Sequence, residues 1–559
     1  MKREILRLGL AAAMTALTIT APAAVRVAMQ PDRVINIVNF VRLTEPRSEA
    51  VTDDVLYRTT EAQYESMKRN GLKGTFLLQY DALINPRYQA LMRQAISDGF
   101  EVGGWWEITE PHVKAAGMNW RGRYPWDWHA NVGFATGYTP AERLKLVDVY
   151  MAEFKRIFGR YPASVGSWFI DAVTLRYMAD KYHITASCNC RDQVGTDGYT
   201  MWGGYWQGGY YPSLLNAYLP AQNKSAQINV PVFRMLGSDP LYQYYCGVGG
   251  ATQSVSTLEP VYGEGGGSER WTDWYLGTVS RDPALGFVYV QAGQENSFTW
   301  GAMRRGFEMQ MPKLAALARS GAMRIQTLEE TGREFRSRYK VTPATASTAM
   351  SDYTPQGGRT VWYSTRYYRT SLFWQGERFL FRDIQLYNEH FKSLYYDQPG
   401  TSTECHYYAL PLVDGCLWSK GNFRAGLRIM SRDASGGEYK EIKCSGPTVT
   451  TAGSMKAGRM IVSFDGSGRK YRVELGEKGI TVESDKDNDY RLELTVSQGA
   501  KLPEVVSHDA KTLQQSFNGF RYTMRVGTGS LAMPGSSDSA ALWTVTAKNG
   551  KVALSLAQR

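Results

Sequence analysis

The sequence predicts an α/β protein, a barrel of parallel strands followed by a β-sandwich-like C-terminal domain. Three observations carry this prediction. Seven apolar strand candidates alternate with helical segments between residues 35 and 292, the signature of a parallel sheet. Helical periodicity fades after "LEETGREFRSRY" (328–339), and "VTPATASTAMSDYTPQGG" (341–358) reads as a linker. Beyond it come short runs that alternate apolar and polar residues, separated by Gly, Asp and Asn, as antiparallel sandwiches do.

The elements follow in order. Lys2, Arg3 and Arg7 precede the apolar run "LGLAAAMTALTITA", and "APAA" ends at Ala24. This is the layout of a signal peptide over 1–24, which predicts export to the periplasm or the exterior. No later segment predicts a membrane span. "INIVNFVR" (35–42) is the first barrel strand. "TEAQYESMKRNG" follows as a helix, with Thr60 and Gln63 in capping-box spacing and Gly71 as its stop. "GTFLLQY" (74–80) is the second strand, and Asn85-Pro86 opens a helix that ends at Gly99. "FEVGGWW" is the third strand. "TPAERLKLVDVYMAEFKRIFG" (139–159) is a helix with Thr139 as N-cap and Glu142 completing a box. Strands four to seven are "SVGSWFI" (164–170), "ITASCNC" (184–190), "VPVFRML" (230–236) and "GFVYVQA" (286–292). The barrel domain is thus placed at 25–340, the linker at 341–358 and the β-rich domain at 359–559. That domain takes its strands from "RTVWYST", "RMIVSF", "KYRVEL", "ITVES", "RLELTV", "FRYTMRV" and "LWTVTA". "FLFRDIQLYNEHF" (379–391) is apolar enough to dock on the barrel and bring Arg382 and Asp383 towards its mouth.

Composition narrows the class. A chain of 559 residues with 43% hydrophobic and 21% charged residues is globular, and six cysteines are too few for a disulfide framework. Cys188 and Cys190 read as small core residues, while Cys405 and Cys416 could pair in an oxidising compartment. The net charge of +11 is dispersed without a lysine-rich block. It permits an acidic substrate and gives no sign of a nucleic-acid partner.

The stretches "GLKGTFLLQYDAL", "NPRYQALMRQAISDGFEVGG" and "FGRYPASVGSWFIDAVTLRYMADKYHITA" resemble the polysaccharide deacetylase-like family. That fold is shared with glycoside hydrolases built on a (β/α)7 barrel, and the added β-rich domain is similar to exported glycan-degrading proteins. The resemblance implies a (β/α)7-type barrel. It does not imply the family's chemistry, because three functional segments differ. Val41 and Arg42 stand where the family pattern ends its first strand in aspartates. Trp105 takes the place of a metal-binding histidine, and "GSWFID" replaces the segment after the fourth strand. A divalent ion needs carboxylate or imidazole ligands, so neither a metal nor another cofactor is expected. A deacetylase with a rearranged metal site is the weakest of the readings.

Carboxylates at strand ends then become the candidates, since barrel active sites lie there. Glycoside hydrolysis needs two carboxyl groups facing one bond. The resemblance to barrel glycosidases implies, by fold position, Asp171 after strand four and Glu295 after strand seven as the catalytic pair, with Asp239 after strand six as the rival. Asp171 has an alternative as a helix N-cap, and Glu107 has one as a buried ion-pair partner of Arg42. Substrate-binding candidates are Arg42, Glu45, Trp105, Trp106, Glu107, Asp127, His129, Asp192, Asp197, Trp202 and Trp206. Eleven of the fifteen tryptophans fall within 101–300, and such rings stack on sugar faces while acids bond the polar rims. Two function classes follow: an exported glycosidase acting on a carbohydrate through a metal-free carboxylate pair, or a non-catalytic glycan-binding barrel.

Overall fold

The computed structural model describes residues 31–558 apart from 197, 246–255, 433–435, 453–457, 487–489 and 535–540. The expected signal segment 1–24 and the candidate Asp197 lie outside the described residues.

Seven parallel strands form the barrel: β1 (Asp32–Val41), β2 (Thr75–Leu78), β3 (Glu101–Trp105), β4 (Ser164–Gly166), β5 (Ala186–Asn189), β6 (Val232–Arg234) and β7 (Phe287–Ala292). Each pairs in parallel with its sequence neighbour from β1 to β6, and β7 returns to pair with β1. The long β1 serves three partners. Its first half pairs with β7 on one edge and with Arg324–Gln326 on the other, and its second half pairs with β2. No ladder joins β6 to β7 among the described residues. Phe233 packs there on Tyr289 and Phe287, with centroids 4.9 and 5.9 Å apart, so aromatic packing bridges the gap.

Local signals explain the helices. Thr139 and Glu142 form the expected capping box of helix Pro140–Phe158, and Gly159 ends it in the left-handed region. Asn85 caps helix Pro86–Ser97. The first helix departs from expectation. It spans Asp53–Arg69 with Thr52 as N-cap, and Thr60 lies inside it, its hydroxyl donating to the Leu56 carbonyl. Val51 and the exposed Thr52–Asp54 run hide that earlier start, because the apolar stripe only becomes regular later.

The C-terminal region is two antiparallel sheets packed face to face. One runs from Thr345–Ala349 through Arg359–Ser364, Tyr368–Gln375 and Arg378–Leu386 to Gly426–Ser431, Tyr490–Thr495 and Ala541–Thr546. The other centres on Arg459–Gly466, Arg469–Gly476, Gly479–Ser484, Lys551–Ser555 and Phe520–Thr528. Trp374 and Phe379 pack on Phe464 across the two sheets, at 5.6 and 4.8 Å. Residues 341–358, expected to be a linker, contain the first of these strands. Thr345–Ala349 pairs with Arg359–Ser364, and Ala346 bridges to Leu285 of the barrel. The Pro and Gly signals belong to the turn that joins these two strands, where Gly357 has φ 68°.

The sheets dock on the barrel through a shared strand set. Cys405–Tyr408 pairs in parallel with Tyr199–Trp202, which leaves the barrel after β5. Trp206 stacks on Trp362 at 3.7 Å, and Arg382 donates to the carbonyls of Leu241 and Pro240 at 2.6 and 2.8 Å. The 379–391 segment therefore does dock. Cys188, Cys190, Cys405 and Cys416 are buried free thiols, so the Cys405–Cys416 pairing is not formed. No described helix is long and apolar enough to cross a membrane.

Candidate active site

The carboxyl ends of β1, β3 and β7 converge on one guanidinium. Phe40 packs into the barrel against Trp105, at 4.1 Å. Strand alternation then turns Arg42 to the same side. Its Nε and Nη2 donate to the two oxygens of Glu107 at 3.1 and 2.8 Å, the ion pair expected from the sequence. Its Nη1 lies 3.0 Å from Glu295 Oε2 and 3.8 Å from Glu45 Oε2. Arg42 is 1% exposed and stacks over Trp126 at 4.0 Å. Asn296 locks the strand end by accepting from the Arg42 amide and donating to its carbonyl, at 2.9 and 2.8 Å. Gln79 donates to Glu107, and Ser297 donates to Glu295 Oε1 at 2.8 Å. Glu295 Oε2 touches Arg42 without hydrogen-bond alignment, so it has charge contact and no hydrogen bond.

The carboxyl groups titrate apart. Burial pushes Glu295 up to about 7, against the pull of Arg42 and with the help of Glu107. Burial acts on Glu45 as well, but bonds from Arg47 and the charge of Arg42 outweigh it and hold that carboxyl below the usual range. Asp81, past the end of β2, is also raised to about 7 by burial, and its Oδ2 has no hydrogen-bond partner. Arg47, a third exposed, bonds both oxygens of Glu45 at 2.7 Å and leans over Trp126 and Trp128. Trp128 is half-buried and stacks on the exposed Tyr124 at 5.9 Å. This pair of rings gives the mouth an aromatic rim.

The other candidates sit elsewhere. Asp171 caps helix Ala172–Tyr182. It accepts from the Thr174 amide and hydroxyl at 3.0 and 2.6 Å and pairs with Arg143 at 3.0 Å. Asp239 accepts from the Leu241 and Tyr242 amides and from Trp271 Nε1, all within 3.0 Å, and is wholly buried. Both hold local structure, and neither meets Arg42 or Glu295. Asp192 joins Arg234, Arg369 and the Tyr218 hydroxyl in a buried network between barrel and sheets. Asp127 pairs with Arg123, which outweighs burial and lowers it to about 2. His129 is 3.7 Å from the same carboxylate.

The tryptophan expectations need correction. Trp105 is buried against Phe40 and Trp168, and Trp106 against His112 and Tyr150. Trp202 donates to Asp414, and Trp206 stacks on Trp362. Trp105 and Trp106 fill space at the end of β3, whose two faces are covered by the interior and by helices, while Trp202 and Trp206 fill the junction of barrel and sheets. Sequence reasoning missed Arg47, Gln79 and Ser297 as members of the site. Polar residues just past apolar strands are the one signal they left.

The chain matches solved structures by fold. It is similar to a protein from Parabacteroides distasonis described as a candidate glycoside hydrolase/deacetylase. That match has 16% identity and a TM-score of 0.53, over 68% of this chain and 90% of the other. It is also similar to a candidate polysaccharide deacetylase from Mycobacterium smegmatis, at 10% identity and TM-score 0.34 over 56% and 93%. A family 4 carbohydrate esterase from Streptomyces lividans matches at 11% identity and TM-score 0.25 over 54% and 97%. No family model and no curated protein matches the chain. The protein thus has a polysaccharide deacetylase-like (β/α)7 barrel carrying a C-terminal pair of antiparallel sheets.

The metal that this fold implies does not fit the residues present. Val41, Arg42 and Trp105 offer no ligand, and His112 is buried, bonded to the Leu146 carbonyl and lowered to about 4 by burial. Among the described residues, no group of three or more His, Cys, Asp or Glu side chains could hold a metal ion. A fixed guanidinium stands among the mouth carboxylates instead.

Proposed function

We propose that the protein is an exported glycoside hydrolase acting on a poly- or oligosaccharide through two carboxyl groups and no metal. One observation carries the reading. Glu45 and Glu295 meet the same nitrogen of Arg42, and their surroundings drive their protonation in opposite directions. Divergent environments on neighbouring carboxyl groups separate an acid from a base. Glu295, raised to about 7, keeps its proton near neutral pH and donates it to the glycosidic oxygen as the C–O bond breaks. Glu45, held ionised, attacks the anomeric carbon. Water then releases the sugar while Glu295 takes back a proton. This keeps Glu295 in the catalytic pair expected from the sequence and replaces Asp171 by Glu45 as its partner.

The stereochemical outcome follows from distance. One oxygen of each carboxyl lies 3.0 and 3.8 Å from Arg42 Nη1, so those two oxygens are no further apart than the two distances laid end to end. That suits the roughly 5–5.5 Å of retaining enzymes better than the roughly 6.5–9.5 Å of inverting ones. Retention is expected, read by NMR from the first-formed anomer. A glycan screen of the wild type, Glu295→Gln and Glu45→Gln tests the pair. Variants that fold and keep wild-type turnover would refute it.

A second reading, a non-catalytic glycan-binding barrel, is favoured by the burial of the acids, since Glu45 and Glu295 are only 8% and 4% exposed. A wild type that binds glycans and cleaves none would select it. Export belongs to the same proposal, and the N-terminus of the mature protein, read by mass spectrometry, should begin near residue 25.

A further inference from the structure

Arg191 follows the end of β5 and is 5% exposed. The buried Arg42, Arg143, Arg234 and Arg369 each pair with a carboxylate. Arg382 instead places all three of its nitrogens on carbonyl and hydroxyl oxygens. Arg191 has neither arrangement. Its Nη1 donates to the Asp192 carbonyl at 2.8 Å, and its Nε has no partner. No carboxylate of the described residues forms an ion pair with it. A buried guanidinium with no carboxylate at ion-pair distance is costly, so its presence calls for an anion supplied from outside.

The surroundings point to the barrel mouth. Burial raises the Glu259 carboxyl against the pull of the Arg191 charge, and Glu259 Oε1 accepts from Gln294 Nε2 at 3.0 Å. Gln294 precedes Glu295. Trp168, past the end of β4, packs on Phe40 and Trp105, and its indole N–H also lacks an acceptor. Arg191 Nε and Trp168 Nε1, donors without an acceptor, and Glu295 Oε2, in charge contact with Arg42 but without a hydrogen bond, therefore lie at the same end of the barrel. A neutral sugar satisfies hydroxyl-type partners but leaves the guanidinium charge uncompensated.

We infer that the mouth binds an acidic glycan, with Arg191 holding the carboxylate of a uronic acid or the sulfate of a sulfated sugar. The inference rests on the mouth being a glycan site and adds the charge of the sugar. Arginine suits both anions, because its planar fork matches paired oxygens.

The test is binding to an array of uronate, sulfated and neutral oligosaccharides, for wild type, Arg191→Gln and Arg191→Lys, with thermal unfolding of each. Wild type should prefer either uronate or sulfated sugars, and the class it prefers identifies the anion. Arg191→Gln should weaken that binding by about tenfold or more, the size of a charge-assisted hydrogen bond, and leave neutral sugars unchanged. Arg191→Lys should recover part of the loss. Acidic binding that survives Arg191→Gln would mean attraction to the net positive surface, and would overturn the inference. Equal loss on acidic and neutral sugars would mark a structural arginine and overturn it too. Binding confined to neutral sugars would refute Arg191 as an anion site and leave the glycosidase reading standing. Binding to no sugar would remove both.

Discussion

Two arginine–carboxylate clusters lie buried in this molecule, and they differ in access. At the barrel mouth, Arg42 and Arg47 meet Glu45, Glu107 and Glu295. Between barrel and sheets, Arg234 and Arg369 meet Asp192 and Asp383, with Asp414 beside them through Gln385 and Tyr244. Both clusters shift their carboxyl groups in opposite directions. Burial raises Asp383 to about 6, while the charges of Arg369 and Arg234 overcome burial and lower Asp192. Perturbed titration alone therefore does not mark chemistry here, because ion-pair networks that only hold structure perturb it as well. Position separates the two. The cluster between barrel and sheets is sealed, with Arg369 and Asp383 at 0% exposure, and it bonds backbone of the barrel loop at Gly203 and Gly204. The mouth cluster ends in Arg47 and Trp128, which reach solvent, and it leaves Glu295 Oε2 without a hydrogen bond.

Substitutions in each cluster test that contrast. The largest effect belongs to the mouth. Glu295→Gln should reduce turnover by about 10²–10⁴-fold, the range of a lost general acid, with the unfolding midpoint retained or raised. An unchanged rate would move the chemistry elsewhere. Arg369→Ala should do the reverse. Removing one partner of a buried pair destabilises by about 3–5 kcal/mol, read by urea unfolding, while turnover per folded molecule stays at the wild-type level. A specific loss of turnover without destabilisation would make the cluster between barrel and sheets functional. Asp171→Asn is a smaller change. It weakens the cap and the Arg143 pair, and a cap is worth about 0.5–2 kcal/mol. Turnover should persist, and its loss in a folded variant would restore Asp171 to the catalytic pair.

The smallest effect is a slope. Glu295 and Asp81 are raised in the folded protein, so folding favours their protonated forms. Their contribution to stability is complete below the ordinary carboxyl range and is lost as pH rises from about 4.5 through about 7. Unfolding free energy measured across that window should fall with pH, and Glu295→Gln should flatten part of the fall. If Glu295 is the proposed donor, turnover should fall over the same window, as its proton is lost near pH 7.

Much of the barrel was legible because its signals are local. Each of the seven strands lies where an apolar run predicts it, and the Thr139–Glu142 box and the Asn85 cap form as read. The 341–358 segment misled because Pro and Gly mark a turn equally well inside a sheet and between domains. Trp105, Trp106, Trp202 and Trp206 misled because composition does not say which side of a covered strand end a ring faces.

By itself, the sequence determined the alternation of strands and helices, the change to antiparallel patterning, and the absence of deacetylase ligands at Val41, Arg42 and Trp105. All of these are properties of short windows, where period and side-chain chemistry act directly. Only the tertiary structure decided that Glu45 and Glu295 join the Arg42–Glu107 pair. Glu107 is 65 residues from Arg42, and Glu295 approaches it from the last strand of the ring. Those partners come together because β7 returns to pair with β1. The titration of Glu295 follows from the same closure, since burial and Arg42 set it only once the barrel has formed.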